Sequence, residues 1–283
     1  MEDANVEISN GMSFTYVDIH SHLFFKDYDQ DLEDVLTRMK EDGVSTITVG
    51  TELKTSKEAV AFARGREGFY ASLGLHPNHA GEETFSESDY AELAADPNVV
   101  AIGECGIDYY RLQSAGGSRQ VEEKKNQYRE FEKQMEFAIE YDKPMMIHAR
   151  PTKGSMDAYL DIAAIIESRQ KLAGEKLRGN MHFFVGSIDV AKKFYSLGFT
   201  TSFTGVLTFT HDYDEVVKYA PLDMIMTETD APFASPAPFR GRRNEPSYVK
   251  YVVEAIARIR DSNVEDIRES VVKNATRVFN LQG

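Results

Sequence analysis

Short runs of apolar, β-branched residues alternate along this chain with longer segments whose apolar positions recur every three to four residues. The first pattern predicts strands over 15–19, 44–49, 69–73, 99–102, 144–147, 178–183, 199–203 and 223–226. The second predicts helices over 31–41, 56–64, 86–95, 119–141, 155–171, 187–196 and 212–219, and three more over 247–259, 264–269 and 271–279. The longest, 119–141, carries Tyr128, Phe131, Met135, Phe137, Ala138 and Tyr141, which form one stripe on a helix. Eight strands separated by helices predict a closed parallel α/β barrel of the TIM (β/α)8 type, with extra helices at the C-terminal end. Residues 1–13 are polar and aperiodic and read as an extension, with Met12 as an alternative start; 14–283 read as a single hydrolase barrel. Pro232, Pro236 and Pro238 interrupt regular structure over 231–244, so a long loop is expected after the eighth strand. In a barrel that loop lies on the catalytic face.

The chain has 283 residues, enough to bury roughly three quarters of its extended surface, so a large core is available. A net charge of −14 argues against broad, charge-driven adhesion to nucleic acid or anionic membrane. It leaves nucleic acid open, because cations in a site invert the local field. The single cysteine, Cys105, excludes an internal disulfide and suits a reducing compartment, with the cytoplasm as the expected location. No apolar run approaches the roughly 18 residues that span a bilayer, and no membrane partner is expected. A monomer is expected.

Imidazole and acid side chains punctuate the ends of the strand segments. His20 and His22 leave the first strand two residues apart, which on an extended chain places both rings on one face. Glu104 follows the apolar run 99–103, His148 follows Met145-Met146-Ile147, His182 ends the sixth strand segment and Asp230 follows the eighth. Neutral imidazoles, anionic oxygens and open positions are what a catalytic divalent-metal site requires. Two divalent ions are expected, roughly 3.5–4 Å apart, with Glu104 as the bridge. Each residue alone has a bland reading. A lone buried histidine is usually a satisfied core group, an acid after a strand often caps a helix, and His-x-His recurs by accident. Together they form a run of buried polar groups, each costly without a partner, and the metal reading outweighs the core reading.

These residues sit in longer stretches: Asp18-Ile19-His20-Ser21-His22-Leu23, Gly74-Leu75-His76-Pro77, 101–110 around Glu104, Ile147-His148-Ala149-Arg150, Met181-His182-Phe183-Phe184, Ser202-Phe203-Thr204-Gly205, Glu228-Thr229-Asp230-Ala231-Pro232 and 240–246. In this order, from residue 17 to about 250, the chain resembles the TatD-like metal-dependent deoxyribonucleases, a branch of the amidohydrolase superfamily of TIM barrels. The resemblance implies a two-metal hydrolase of phosphodiester bonds that uses Mg²⁺, Mn²⁺ or Zn²⁺ and acts on DNA from the 3′ end or at damaged sites. It implies that His20, His22 and Asp230 hold one ion, that His148 and His182 hold the second, and that Glu104 is shared. Val185 departs from the pattern, since relatives often carry a serine after the His-Phe-Phe stretch; the extension over 1–13 also departs from it.

Asp230 is the candidate to orient or deprotonate the nucleophile, weighed equally against a role as ligand only. Glu228, two residues earlier, is the candidate to orient a ligating histidine, or else a charge for the following turn. His76 is expected to contact phosphate or leaving group, with a turn-capping role nearly as strong. Arg150, Arg242 and Arg243 are candidate backbone contacts, against the ordinary reading of charged groups as a solvated face. Tyr109 and Tyr110 are candidates to stack on a base or to fill the core; His79 and His211 read as surface loop residues and Cys105 as packing. Two rival enzymes share the opening motif. An amidohydrolase cleaving a C–N or ester bond commonly bridges its metals with a modified lysine where this chain has Glu104. A histidinol-phosphatase-like phosphoesterase needs a late Asp-x-His, where this chain has Asp230-Ala231-Pro232. A metal-binding adaptor without turnover is the third alternative.

Overall fold

A computed structural model describes residues 14–114 and 117–282 of the chain; the extension over 1–13, including Met12, lies outside the described residues. Eight strands run in sequence order around one sheet: β1 (Tyr16–Ser21), β2 (Val44–Val49), β3 (Phe69–Leu73), β4 (Val99–Asp108), β5 (Met145–Arg150), β6 (Gly179–Met181), β7 (Phe199–Phe203) and β8 (Ile225–Thr227). Every neighbouring pair is parallel. Between them lie α1 (Leu32–Asp42), α2 (Leu53–Ala63), α3 (Glu87–Ala94), α4 (Gly117–Glu140), α5 (Asp157–Ala173), α6 (Ile188–Ser196) and α7 (Asp214–Tyr219). Parallel strands need crossovers of this length, and the crossovers place the helices outside the sheet. Buried residues from α2 to α7 and the outer strand faces, such as Val60, Phe131, Ile162 and Phe194, pack into one continuous core, while Val35 and Met39 of α1 pack with Leu23, Tyr28 and Val249.

The sheet nearly closes on itself. The Thr227 hydroxyl donates to Val17 O (3.3 Å). Past the end of β8, Asp230 N–H donates to His20 O (2.9 Å) and His22 N–H to Ala231 O (2.8 Å). The seam therefore joins the residues that follow β8 to those that end β1.

Several boundaries differ from the sequence pattern: the strand expected over 144–147 runs to Arg150, placing His148 inside β5, and two further differences shape the fold. The strand expected over 99–102 continues to Asp108, so Glu104 lies inside β4 and not beyond its end. Gly103 and Gly106 permit this. Both have positive φ (153° and 139°), and a Cβ on either would lie 2.3 Å from Met146 O or 2.0 Å from His148 O. Only glycine lets β4 approach β5 so closely while adopting that backbone. The second difference is at the C-terminal end. The helices expected over 264–269 and 271–279 are one, α9 (Val264–Phe279), preceded by α8 (Val249–Arg260). Ser270 does not break the helix because its hydroxyl bonds Asp266 O one turn back (2.7 Å). Asn274 of α9 donates to Leu222 O and Ile225 O (both 2.8 Å), fastening α9 under β8. The loop expected over 231–244 contains no helix or strand. No helix among the described residues is long and apolar enough to cross a membrane.

Candidate metal centre

The six side chains singled out at strand ends converge. Glu104 stands at the middle, and its two oxygens face different neighbours. Oε2 lies 3.6 Å from His20 Nε2. Oε1 lies 2.9 Å from His148 Nδ1, 3.3 Å from His182 Nε2 and 3.4 Å from His76 Nε2. On the far side of His20, Asp230 Oδ1 lies 3.7 Å from both His20 Nε2 and His22 Nε2. Those separations exceed a hydrogen bond.

Local structure sets each group. His22 Nδ1 lies 2.8 Å from Val49 O; a carbonyl only accepts, so Nδ1 carries the hydrogen and Nε2 presents its lone pair inward. His20 is fully buried, its ring stacked on that of His182 with centroids 3.7 Å apart. Neither ring nitrogen of His20 has a hydrogen-bond partner. Burial and the neighbouring imidazoles push its pKa down to about 3, so the ring is neutral. Asp18, also fully buried, accepts from His20 N–H (3.2 Å), Thr229 N–H (2.8 Å) and the Thr229 hydroxyl (2.6 Å). One carboxyl thus ties the backbone of a β1 histidine to the residue beside Asp230; burial raises the pKa of that carboxyl well above its usual range. Asp230 itself adopts φ +56°, and Phe183, next to His182, φ +47°. Such conformations in side-chain-bearing residues cluster at functional sites.

The other side is densely bonded. His148 is held between Glu104 and Asp108, whose Oδ2 lies 3.3 Å from its Nε2. Burial lowers the His148 pKa, but the two carboxylates outweigh it and the net shift is upward. Burial likewise opposes charge on His182, and Glu228 and Glu104 overcome it, raising its pKa well above the ordinary value. Burial pushes the Glu104 carboxyl up, but the surrounding His76, His182 and His148 hold it well below its usual range. Glu228 accepts from Phe183 N–H (2.6 Å) and the Ser202 hydroxyl (2.9 Å). Its Oε1 lies 3.1 Å from His182 Nδ1, without the alignment of a hydrogen bond.

Three sets of donors are close enough to share a cation: His20, His22 and Asp230; His20, His182 and Glu228; and His76, Glu104 and His148. The unpartnered nitrogens of His20 are the strongest fit. A buried polar atom without a partner is costly, and a cation is the partner this one lacks. His76 enters the third set by distance, but its chemistry differs. His76 Nδ1 accepts from Asn78 N–H (3.1 Å), so in the neutral ring Nε2 carries the hydrogen and faces Glu104 or a ligand as a donor. The capping role is thus present, and it leaves Nε2–H facing the cavity.

A cavity of about 890 Å³ opens over these groups. Arg150 lines it, with its guanidinium 4.2 Å from the centre of the Tyr110 ring. Val185 and His79 line it too. Arg242 and Arg243 do not line it. Arg243 makes a fork to Asp31 (2.5 and 2.8 Å) and lies over the Tyr28 ring, bracing the loop after β8; Arg242 is exposed. Tyr109 is fully buried with its hydroxyl on Asp161 (2.7 Å), so of the pair it is the one that fills the core. Tyr110 is exposed. His211 pairs with Asp214 at the surface, and Cys105 is buried packing.

Asp108 was not singled out in the sequence. Glu104, Gly106 and Asp108 alternate along β4, and the two-residue period would have found it had the strand not been ended at 102. Two glutamines on α4 were also hidden within its apolar stripe. Gln127 makes paired bonds to the backbone of Asp108 (both 3.0 Å), and Gln134 to that of Leu75 (2.7 and 3.0 Å), next to His76. Two turns of one helix thereby fix two segments of the cavity wall.

Residues 17–280 match the family described as TatD related DNase. A Bacillus subtilis (strain 168) protein named uncharacterized metal-dependent hydrolase YabD is 39% identical over 270 residues, 93% of this chain and 98% of that protein. A Pantoea vagans protein named 3′-5′ ssDNA/RNA exonuclease TatD is 30% identical over 275 residues, 93% of this chain and 99% of that one. The crystal structure of YjjV, a TatD homologue from Escherichia coli K12, superposes with a TM-score of 0.78 at 26% identity, covering 96% of this chain and all of that one.

Proposed function

Because the chain belongs to the TatD-related family of metal-dependent hydrolases, we propose that it hydrolyses phosphodiester bonds with two divalent ions, as a deoxyribonuclease acting from the 3′ end or at damaged sites. One observation carries the reading. The two oxygens of Glu104 face different neighbours, Oε2 towards His20 and Oε1 towards His148 and His182. A carboxylate placed this way can be shared between two ligand sets. His20, His22 and Asp230 would hold one ion and His148 and His182 the other, with Mg²⁺, Mn²⁺ or Zn²⁺ as the metals. Bound there, such ions activate water and neutralise charge on phosphate oxygens.

The protein's own groups do the rest. His22 keeps one tautomer through Val49 O. Asp18 holds the backbone that carries His20 and Asp230 in register. Asp230, at the cavity edge, receives a proton from the attacking water. Glu228 orients His182. His76 Nε2–H donates to a phosphate or leaving-group oxygen. Arg150 lies at the rim, where a non-bridging phosphate oxygen meets it; Arg242, further out and exposed, meets the strand beyond the scissile bond. DNA is the partner, a monomer in the cytoplasm the working form, and 1–13 an appendage to the barrel domain. The test is degradation of fluorescent single-stranded DNA in Mg²⁺ or Mn²⁺ against EDTA. Metal-dependent loss of the label supports the reading. Inertness towards diesters across metals, with turnover of lactones or amides, replaces it with the amidohydrolase alternative.

A further inference from the structure

One wall of the cavity is aromatic. The Phe25 ring lies parallel to that of His22, with centroids 4.8 Å apart and planes 14° apart. Phe233 stands edge-on to both, 6.2 Å from His22 and 6.4 Å from Phe25. Both phenylalanines line the same cavity as Glu104, His148 and Asp230. Phe233 is 52% exposed, yet its backbone is pinned: its N–H donates to Asp230 O (2.8 Å), and its carbonyl accepts from Asn244 Nδ2 (2.6 Å). An exposed aromatic ring on an anchored backbone, three residues from a candidate metal ligand, is a preformed surface for a flat partner. Arg111 and Arg150 line the far part of the cavity, and two arginines of the loop beside Phe233 are engaged elsewhere. Arg243 is joined to Asp31, and Arg240 lies over the Phe209 ring.

We propose that Phe25 and Phe233 form a stacking wall for the nucleobase of the nucleotide whose phosphate meets the Glu104 centre. The proposal rests on the phosphodiester reading and names what that site recognises: a base with its face exposed, as in a single strand or a frayed end. A phosphate bound over the centre of His22, Asp230 and Glu104 would have its own base one sugar away, within reach of these rings in the same cavity. Every base has a π-face, so the wall selects unstacked nucleotides without selecting sequence. Much of the binding then comes from stacking, and it weakens little with salt compared with binding carried by Lys and Arg on phosphates.

The measurement is equilibrium binding of a fluorescent thymidine oligomer and an abasic oligomer of equal length to the full chain in EDTA, where no turnover occurs. The wild type binds the thymidine oligomer more tightly, Phe233→Ala reduces that preference about tenfold, and Phe233→Trp retains it. Equal binding of both oligomers by the wild type, binding of neither, or a preference untouched by Phe233→Ala overturns the wall. The phosphodiester reading is judged separately on methyl p-nitrophenyl phosphate with Mn²⁺, a diester with no nucleobase. Its hydrolysis with no base preference sinks the wall alone; its inertness, together with inert DNA, sinks the underlying reading.

Discussion

The two sides of Glu104 differ in how far the protein supplies its own partners. Beyond Oε2, His20 is fully buried with both ring nitrogens unpartnered, and Asp230 stands 3.7 Å from both His20 and His22. Beyond Oε1, His148 is held by two carboxylates at 2.9 and 3.3 Å, and His182 and His76 stand within 3.4 Å of the same oxygen. The first side leaves His20 with both ring nitrogens unpartnered, one of them carrying a lone pair that a cation would take up. The second is more fully bonded within the chain, with His148 held at both ring nitrogens and His182 Nδ1 left without a hydrogen-bond partner, so a cation there must displace existing contacts. An orphaned buried group costs the fold free energy, and its persistence points to a use.

Glu104 serves both sides, so Glu104→Gln has the largest expected effect: metal-dependent turnover falls below detection while the circular dichroism spectrum keeps its shape. Wild-type rates in this variant would remove Glu104 from the centre. Next, leucine at the two kinds of histidine separates the sides in EDTA. His20→Leu replaces an unsatisfied imidazole with a core side chain and is expected to stabilise the metal-free fold by about 1–3 kcal/mol. His148→Leu strands Glu104 and Asp108 and is expected to destabilise it by a similar amount. Urea melts read both, and equal losses in the two variants would erase the contrast drawn here. Calorimetric titration with Mn²⁺ sharpens it further. Binding should resolve into a tight step, lost in His20→Leu, and a weaker one; a single step of two equal sites would contradict this. Glu228→Gln should weaken the second step about 10–100-fold through its effect on His182.

The last effect is in the pH dependence of metal-free stability. The folded pKa of His20 is depressed to about 3, from an ordinary 6.5. The unfolded chain therefore binds the extra proton between those values. The contribution is present in full above pH 6.5 and is lost as the pH falls towards 3. His148 and His182 are raised and contribute oppositely, favouring the fold at low pH and losing that as the pH rises through their folded pKa. The difference between wild type and His20→Leu isolates the first term; a flat difference from pH 7 to 4 would show that His20 is not buried neutral.

The alternation of short apolar runs with amphipathic segments settled the barrel, because strand and helix periods are local properties of the chain. The same local reading supplied His20, His22, Glu104, His148, His182 and Asp230, since each follows an apolar run that must end at one mouth of such a fold. The run 99–103 hid the continuation of β4, because Gly103 and Gly106 look like a stop in sequence and act as a close approach to β5 in space. Asp108 was lost with it. Arg243 and Tyr109 showed their charge and aromaticity but not their partners, Asp31 and Asp161, which come from distant segments. The division between the unpartnered and the more fully bonded side of Glu104 also had no signal in the sequence. It arises where the residues after β8 bond to β1 through Asp18, Thr229 and Ala231. Spacing along a chain fixes which way a side chain faces, but which atoms lie within 3 Å across a closing seam is decided only when the whole barrel packs.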